Sequence, residues 1–137
     1  MPPLSGILET ALHVADLARS SDFYERVLEL TRIAGDDRFR AYSVASRDVL
    51  LLFLRGATQQ PYSFPGGVIP PHGGSGELHV AFSINAAYLS SWKSRLAVHS
   101  IPIESRVTWP LGGHSLYFRD PDHHLLELAT PGLWPIY

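Results

Sequence analysis

His114-Ser-Leu-Tyr-Phe-Arg-Asp-Pro-Asp-His-His-Leu-Leu-Glu-Leu-Ala-Thr-Pro131 reads as two strands joined by one tight turn. Pro121 presets φ and Asp122 can close an Asx turn, and neither residue suits the interior of a ladder, so Asp120-Pro121-Asp122 is the turn of a hairpin. In the second arm, a period of two puts Leu126 and Leu128 on one face and Leu125, Glu127 and Ala129 on the other. Glu127 therefore belongs either to a solvated face or to a site. Two other strands carry a similar pattern. In Glu77-Leu-His-Val-Ala-Phe-Ser-Ile84, His79 shares a face with Ala81 and Ser83. In Ile7-Leu-Glu-Thr-Ala-Leu-His-Val14, Glu9 shares a face with Ile7, Ala11 and His13. Three strands thus each present one metal-ligating residue type on a face otherwise lined mainly by small residues.

With these residues in view, the chain resembles the vicinal oxygen chelate superfamily, which includes lactoylglutathione lyases, bleomycin-resistance proteins, extradiol dioxygenases and fosfomycin-resistance thiol transferases. The likeness rests on three pieces: Glu9 through Leu28, Gly76-Glu-Leu-His-Val-Ala-Phe82, and Tyr117-Phe-Arg-Asp-Pro-Asp122 with Leu126-Glu-Leu128. It covers nearly the whole chain. The order and spacing of the pieces are specific for the fold and much less so for any one reaction.

Composition bounds the remaining possibilities. A chain of 137 residues with 45% hydrophobic content supports one compact unit with a real core. A net charge of −2 without a basic run argues against nucleic acid or an anionic membrane as the main partner. Zero cysteines exclude disulfides, thiolate metal sites and cysteine nucleophiles. Met1 to Gly6 has no basic segment leading into an apolar one, and no stretch approaches the roughly 20 apolar residues of a bilayer span. The expected setting is the cytoplasm.

Taken in order, the chain predicts a strand, then a helix capped by Asp16 or Ser20 and running to about Leu30. Three short strands follow (Arg32–Ile33, Arg38–Ser46, Val49–Leu54), with turns at Gly35-Asp36-Asp37 and Ser46-Arg47-Asp48. Residues 57–76 are dense in Gly, Pro, Gln and Ser and read as a long connection, not an element, lying beside the strand of His79. Its His72 is either a surface residue or a ligand or substrate contact. The second half repeats the first: the strand Leu78–Ile84, a helix from Asn85 to about Val98, then strands Ile101–Trp109, Ser115–Arg119 and His124–Ala129. His123 and His124, adjacent in the turn, are expected to be exposed. The expected fold is α+β, one glyoxalase-like domain over 1–137 built of two βαβββ modules (about 5–56 and 77–131) that form a cleft-enclosing mixed sheet.

Carboxylate oxygen and neutral imidazole suit a divalent ion such as Mn, Ni, Zn, Fe or Mg, and three ligands leave positions open for substrate. The resemblance assigns Glu9, His79 and Glu127 to the family's ligand positions; otherwise they are polar cleft residues of a member that binds ligands without metal. His13, on the face of Glu9, is a general base or substrate contact, or else packed structure. Tyr117 aligns with an oxyanion-contacting tyrosine of fosfomycin-resistance transferases, or is a core or rim residue. Three departures matter. Asp48–Leu54 contains no acid within the strand where lactoylglutathione lyases have a fourth ligand. Glu9 stands where extradiol dioxygenases usually have histidine, and Ala11 where fosfomycin transferases have threonine. These features point to a metal-dependent enzyme acting on a small oxygen-chelating molecule, a lyase or isomerase before a dioxygenase, with Glu9, Glu127 or His13 moving protons. The alternative is a non-catalytic drug-binding protein of the bleomycin-resistance kind. The superfamily also implies a homodimer.

Overall fold

The computed structural model describes residues 1–137, and the chain divides into two compact units, residues 1–75 and 76–137. In the first, β1 (Glu9–Val14) is followed by helix α1 (Leu17–Arg26) and the strands β2 (Thr31–Gly35), β3 (Phe39–Val44) and β4 (Asp48–Leu54). The sheet order is β1-β4-β3-β2, with β1 parallel to β4 and the other neighbours antiparallel. Asp16 starts α1 because its carboxylate accepts the Arg19 amide at 3.0 Å, satisfying one of the helix's unpaired N–H groups. The helix lays Leu17, Phe23 and Tyr24 against β3 and β4, whose inward residues Tyr42, Leu50 and Leu52 are almost wholly buried. Each such side chain contributes about 1.5–3 kcal/mol by leaving water.

A hairpin of β5 (Tyr62–Phe64) and β6 (Gly67–Ile69) comes next. The 57–76 segment was expected to be a connection without elements, and this hairpin corrects that reading. Its strands are only three residues each, too short to show a periodicity. The loop is pinched shut at its base, where the His72 amide donates to the Thr58 carbonyl at 2.9 Å and the Thr58 hydroxyl donates to the His72 carbonyl at 2.5 Å.

The second unit repeats the topology. Strand β7 (His79–Ser83), a 3₁₀ turn (Ala86–Tyr88), helix α2 (Leu89–Val98) and strands β8 (Ser105–Thr108), β9 (His114–Arg119) and β10 (Leu125–Ala129) form a sheet of order β7-β10-β9-β8. Again the first and last strands are parallel. Asn85 does cap, but it caps the 3₁₀ turn, accepting from Ala87 N at 2.9 Å. Helix α2 ends with Ser100 at φ 57° and Ile101 N donating to Leu96 O at 2.8 Å, the pattern of a Schellman closure. Strand β8 starts later than Ile101 because Pro102 has no N–H for a ladder.

The Asp120–His124 turn registers β9 against β10, so that Leu126 faces Phe118 and Glu127 faces Tyr117. Asp120 is buried and its Oδ1 accepts both the Asp122 and the His124 amides at 2.9 Å. His123 is exposed, as expected, in a left-handed conformation at φ 63°. His124 corrects the expectation: it is 1% exposed, and its Nδ1 accepts the Leu78 amide at 2.9 Å, tying the entrance of β7 to β10. No helix is long and apolar enough to cross a membrane.

Candidate functional site

In the second unit, alternation brings His79, Glu127 and Tyr117 to one face of the sheet. His79 Nδ1 lies 2.8 Å from the Leu125 carbonyl, an acceptor, so Nδ1 carries the hydrogen and the Nε2 lone pair points elsewhere. Nε2 lies 3.2 Å from Glu127 Oε2. With Nδ1 donating to Leu125, the Nε2 lone pair faces the carboxylate oxygen, an arrangement that a cation shared by the two atoms would satisfy. The spacing also equals that of two donors sharing one ion, about 3.0–3.4 Å for bonds of about 2.1 Å. The donor set therefore fits a divalent ion, and the outer contacts fit too. Glu127 is buried, with its second oxygen, Oε1, accepting from the Ser115 hydroxyl, which in turn accepts the Trp109 indole N–H at 2.8 Å. Leu125 O orients the imidazole and Ser115 the carboxylate, the arrangement by which proteins hold metal ligands in place. Burial pushes the Tyr117 hydroxyl above the ordinary tyrosine range, and the charge of Glu127 and a hydrogen bond to it push further. Tyr117 is thus a neutral donor near neutral pH, with its ring 6.3 Å from that of His79.

In the first unit, Glu9 lies on the exposed edge strand β1 and lines a cavity of about 490 Å³ with Phe39, Leu51, Phe53, Tyr62 and His72. Phe53 is the hub of the rings: Phe39 lies 6.0 Å away, His72 packs edge-on at 4.7 Å, and His13 stacks at 5.9 Å. His13 is itself 6% exposed and 5.6 Å from His72, so it supports the cavity wall without being part of the lining. Arg38, the one guanidinium in the lining, sits 3.8 Å over the Tyr62 ring and pairs with Asp36 at 3.1 Å. Against a burial effect that raises it, hydrogen bonds and charge from Arg38 hold Asp36 below its usual range.

The ladders show how the two units correspond. Glu9 pairs with Val49 and Ala11 with Leu51; His79 pairs with Leu125 and Ala81 with Glu127. Glu9 is therefore the structural counterpart of His79, and Leu51 the counterpart of Glu127. Where the repeat has an acid in its second copy, the first copy has a leucine.

The structure brings together His79, Glu127 and Tyr117 in one unit and Glu9 and His72 in the other. Within neither unit do three His, Asp or Glu side chains converge. Sequence reasoning did not reach Ser115, Trp109, Arg38 or the Phe39–Phe53–Tyr62 ring wall. Ser115 shares the face of Tyr117 at period two, a signal that was available. Trp109 and Tyr62 come into place through a hairpin and a loop, whose geometry no local pattern encodes.

A family model for the glyoxalase/bleomycin resistance protein/dioxygenase superfamily matches residues 6–128. The chain belongs to this superfamily. Among superfamily members, it is similar to a lactoylglutathione lyase from Agrobacterium tumefaciens, whose crystal structure is 32% identical in sequence, with a TM-score of 0.88 over 98% of this chain and 99% of that one. It is also 27% identical to the fosfomycin resistance protein FosX of Listeria innocua, over 91% of this chain and 89% of that protein. An integron cassette protein from a sewage-outfall metagenome shares the glyoxalase-like fold at 22% identity and a TM-score of 0.74, over 93% of this chain and 99% of that one.

Proposed function

We propose that the protein is a metal-dependent lyase or isomerase acting on a small substrate that presents oxygen donors, with Glu9, His79 and Glu127 holding one divalent ion. The observation that carries this reading is the His79–Glu127 pair: two donor atoms 3.2 Å apart, each oriented from behind by a protein hydrogen bond. Glu9 joins them on two grounds, its position as the counterpart of His79 in the repeat and its match to a ligand position of the superfamily. The likeness to the Agrobacterium lactoylglutathione lyase supports lyase chemistry. Leu51, where a fourth ligand would stand, favours a different substrate.

When bound, a divalent ion would polarise a substrate oxygen as a Lewis acid. The rest falls to the chain. Tyr117, held protonated, donates a hydrogen bond to an oxygen that gains negative charge. Proton movement belongs to the two carboxylates, Glu127 fixed by Ser115 and Glu9 accessible to solvent in its cavity. His13 and His72 shape the wall on which Phe53 rests, and His72 is the one of the two that can touch a ligand.

Calorimetric titration of the chelator-treated protein with Mn²⁺, Ni²⁺, Zn²⁺, Fe²⁺ and Mg²⁺ tests the proposal. The expected result is one ion per chain, with affinity reduced at least a hundredfold in Glu9→Ala, His79→Ala and Glu127→Ala variants that keep the wild-type circular dichroism. Acidification should release the ion, because coordination requires neutral imidazole and ionised carboxylates. A wild type that takes up none of these ions, or folded variants that bind as tightly as wild type, would falsify the site. A binding protein of the bleomycin-resistance kind would then be favoured by the ring-lined cavity of the first unit.

A further inference from the structure

The cavity of the first unit has a chemical character of its own. At about 490 Å³ it has room for a bicyclic molecule. Its walls are apolar on several sides, from Ala11 and Leu51 on the sheet to Ile69 in the hairpin and Pro70 after it. Phe39 and Phe53, with ring centroids 6.0 Å apart, pack into one aromatic wall, and the hairpin adds Tyr62 and Ile69, which are cross-strand partners and so share a face. A hairpin face of this kind, joined to a loop closed by Thr58 and His72, is a built wall and not a stray apolar patch.

Charge narrows the ligand further. The guanidinium of Arg38 already has an anion in Asp36 at 3.1 Å and an aromatic cover in Tyr62 at 3.8 Å, so it is committed within the protein. The remaining charged group in the lining is the Glu9 carboxylate, which repels an anion and accepts a hydrogen bond from a hydroxyl. A cationic ligand would meet Arg38 in the same wall and find the Tyr62 face occupied.

We propose that this cavity binds an uncharged, hydroxylated aromatic molecule, with its rings against Phe39 and Phe53, its rim against the edge of the Arg38-covered Tyr62 ring, and its hydroxyl donating to Glu9. The inference names the substrate class of the site described above and rests on that reading only in treating the ligand as a substrate. It distinguishes this chain from a receptor for phosphonates or carboxylates, whose binding would require an uncommitted cation in the wall.

The test uses 2-naphthol and 2-naphthoate, the same ring system with a neutral donor or an anion, titrated by calorimetry into chelator-treated and Mn²⁺-treated protein. Expected of the chelator-treated protein are one 2-naphthol per chain, 2-naphthoate at least tenfold weaker, and 2-naphthol affinity reduced at least tenfold in Phe53→Ala. Tyr62→Ala, on the exposed hairpin, gives the same loss without touching a sheet core. Glu9→Gln removes the discrimination against 2-naphthoate. Equal affinity for the two probes in wild type, no binding of 2-naphthol, or an unchanged 2-naphthol affinity in folded Phe53→Ala and Tyr62→Ala would each overturn the proposal. The two readings separate cleanly. Chelator-treated protein that binds 2-naphthol yet takes up no metal upholds the cavity and sinks the metal site; protein that takes up metal but ignores 2-naphthol does the reverse.

Discussion

Asp120 shows what one residue can organise. Its carboxylate is buried and accepts two backbone amides, from Asp122 and His124, so it holds the turn that sets β10 against β9. A one-residue slip there would carry Glu127 to the opposite face and lose the site along with the core. Asp120→Ala leaves two amides without their acceptor and is expected to cost about 1–3 kcal/mol, read as a lower denaturant midpoint with unchanged m. Metal affinity of the protein that remains folded should stay within about threefold of wild type, since Asp120 holds the turn and is no part of the donor set. Loss of metal with unchanged stability would place Asp120 in the site instead. His124 works beside it: its buried ring accepts the Leu78 amide and so fixes where β7, and with it His79, begins.

At the scale of elements, the first unit is held by the packing of α1 on β3 and β4, and Tyr42 marks that contact. Its ring is wholly buried, 6.4 Å from Tyr24, and its hydroxyl donates to Glu25 on the helix at 3.1 Å. Burial, and after it the Glu25 carboxylate, raises the Tyr42 hydroxyl above the ordinary tyrosine value. The folded state therefore keeps its proton when the unfolded chain, with tyrosine near its reference value of about 10, has begun to lose it. Stability should be full below about pH 10 and fall as pH rises from there through the folded-state value. Tyr42→Phe should cost about 1 kcal/mol near neutrality and flatten the alkaline decline. Denaturant titrations from pH 8 to 11 measure both, and an equally steep decline in the variant would assign it to other groups. The turn between β3 and β4 also shows an element overriding local signals. The predicted Ser46-Arg47-Asp48 turn is centred one residue earlier, with Ala45 and Ser46 at φ 52° and 55° and Arg47 N donating to Val44 O at 3.1 Å. The register that buries Tyr42, Leu50 and Leu52 outweighs the absence of Gly or Asn there.

At the scale of the whole molecule, each four-stranded sheet ends in open edge strands, β1 and β2 in one unit and β7 and β8 in the other. The chain also exposes large apolar residues, among them Ile7 and Leu8 at the entrance to β1 and Trp134 and Ile136 near the end of the sequence. Open edges and exposed apolar surface are features a second chain can cover, and closed two-fold dimers are the commonest solution. The protein is expected to be a homodimer, with light scattering at micromolar concentration giving twice the 15.2 kDa chain mass. A mass near that of one chain would overturn this.

What the sequence determined by itself was the periodic part of the molecule. Alternation in Ile7–Val14, Leu78–Ile84 and His124–Ala129 put Glu9, His79 and Glu127 opposite the leucine and valine faces, and the doubled βαβββ order followed from the same periods with Asp16 and Asn85 as starts. Alternation is a local property, dictated by the pleat, so a short window suffices to read it. What only the tertiary structure decided was everything that depends on which strand lies beside which. The ladder register made Leu51 the counterpart of Glu127, the Leu125 carbonyl chose the tautomer of His79, and Ser115 with Trp109 took up the second oxygen of Glu127. The hairpin at Tyr62–Ile69 lay in a segment whose composition reads as loop, and its wall of the cavity depends on Arg38, far away in sequence. Such contacts join residues from six to 46 positions apart, on different strands or across turns, and their energies come from burial and hydrogen-bond geometry that no local pattern carries.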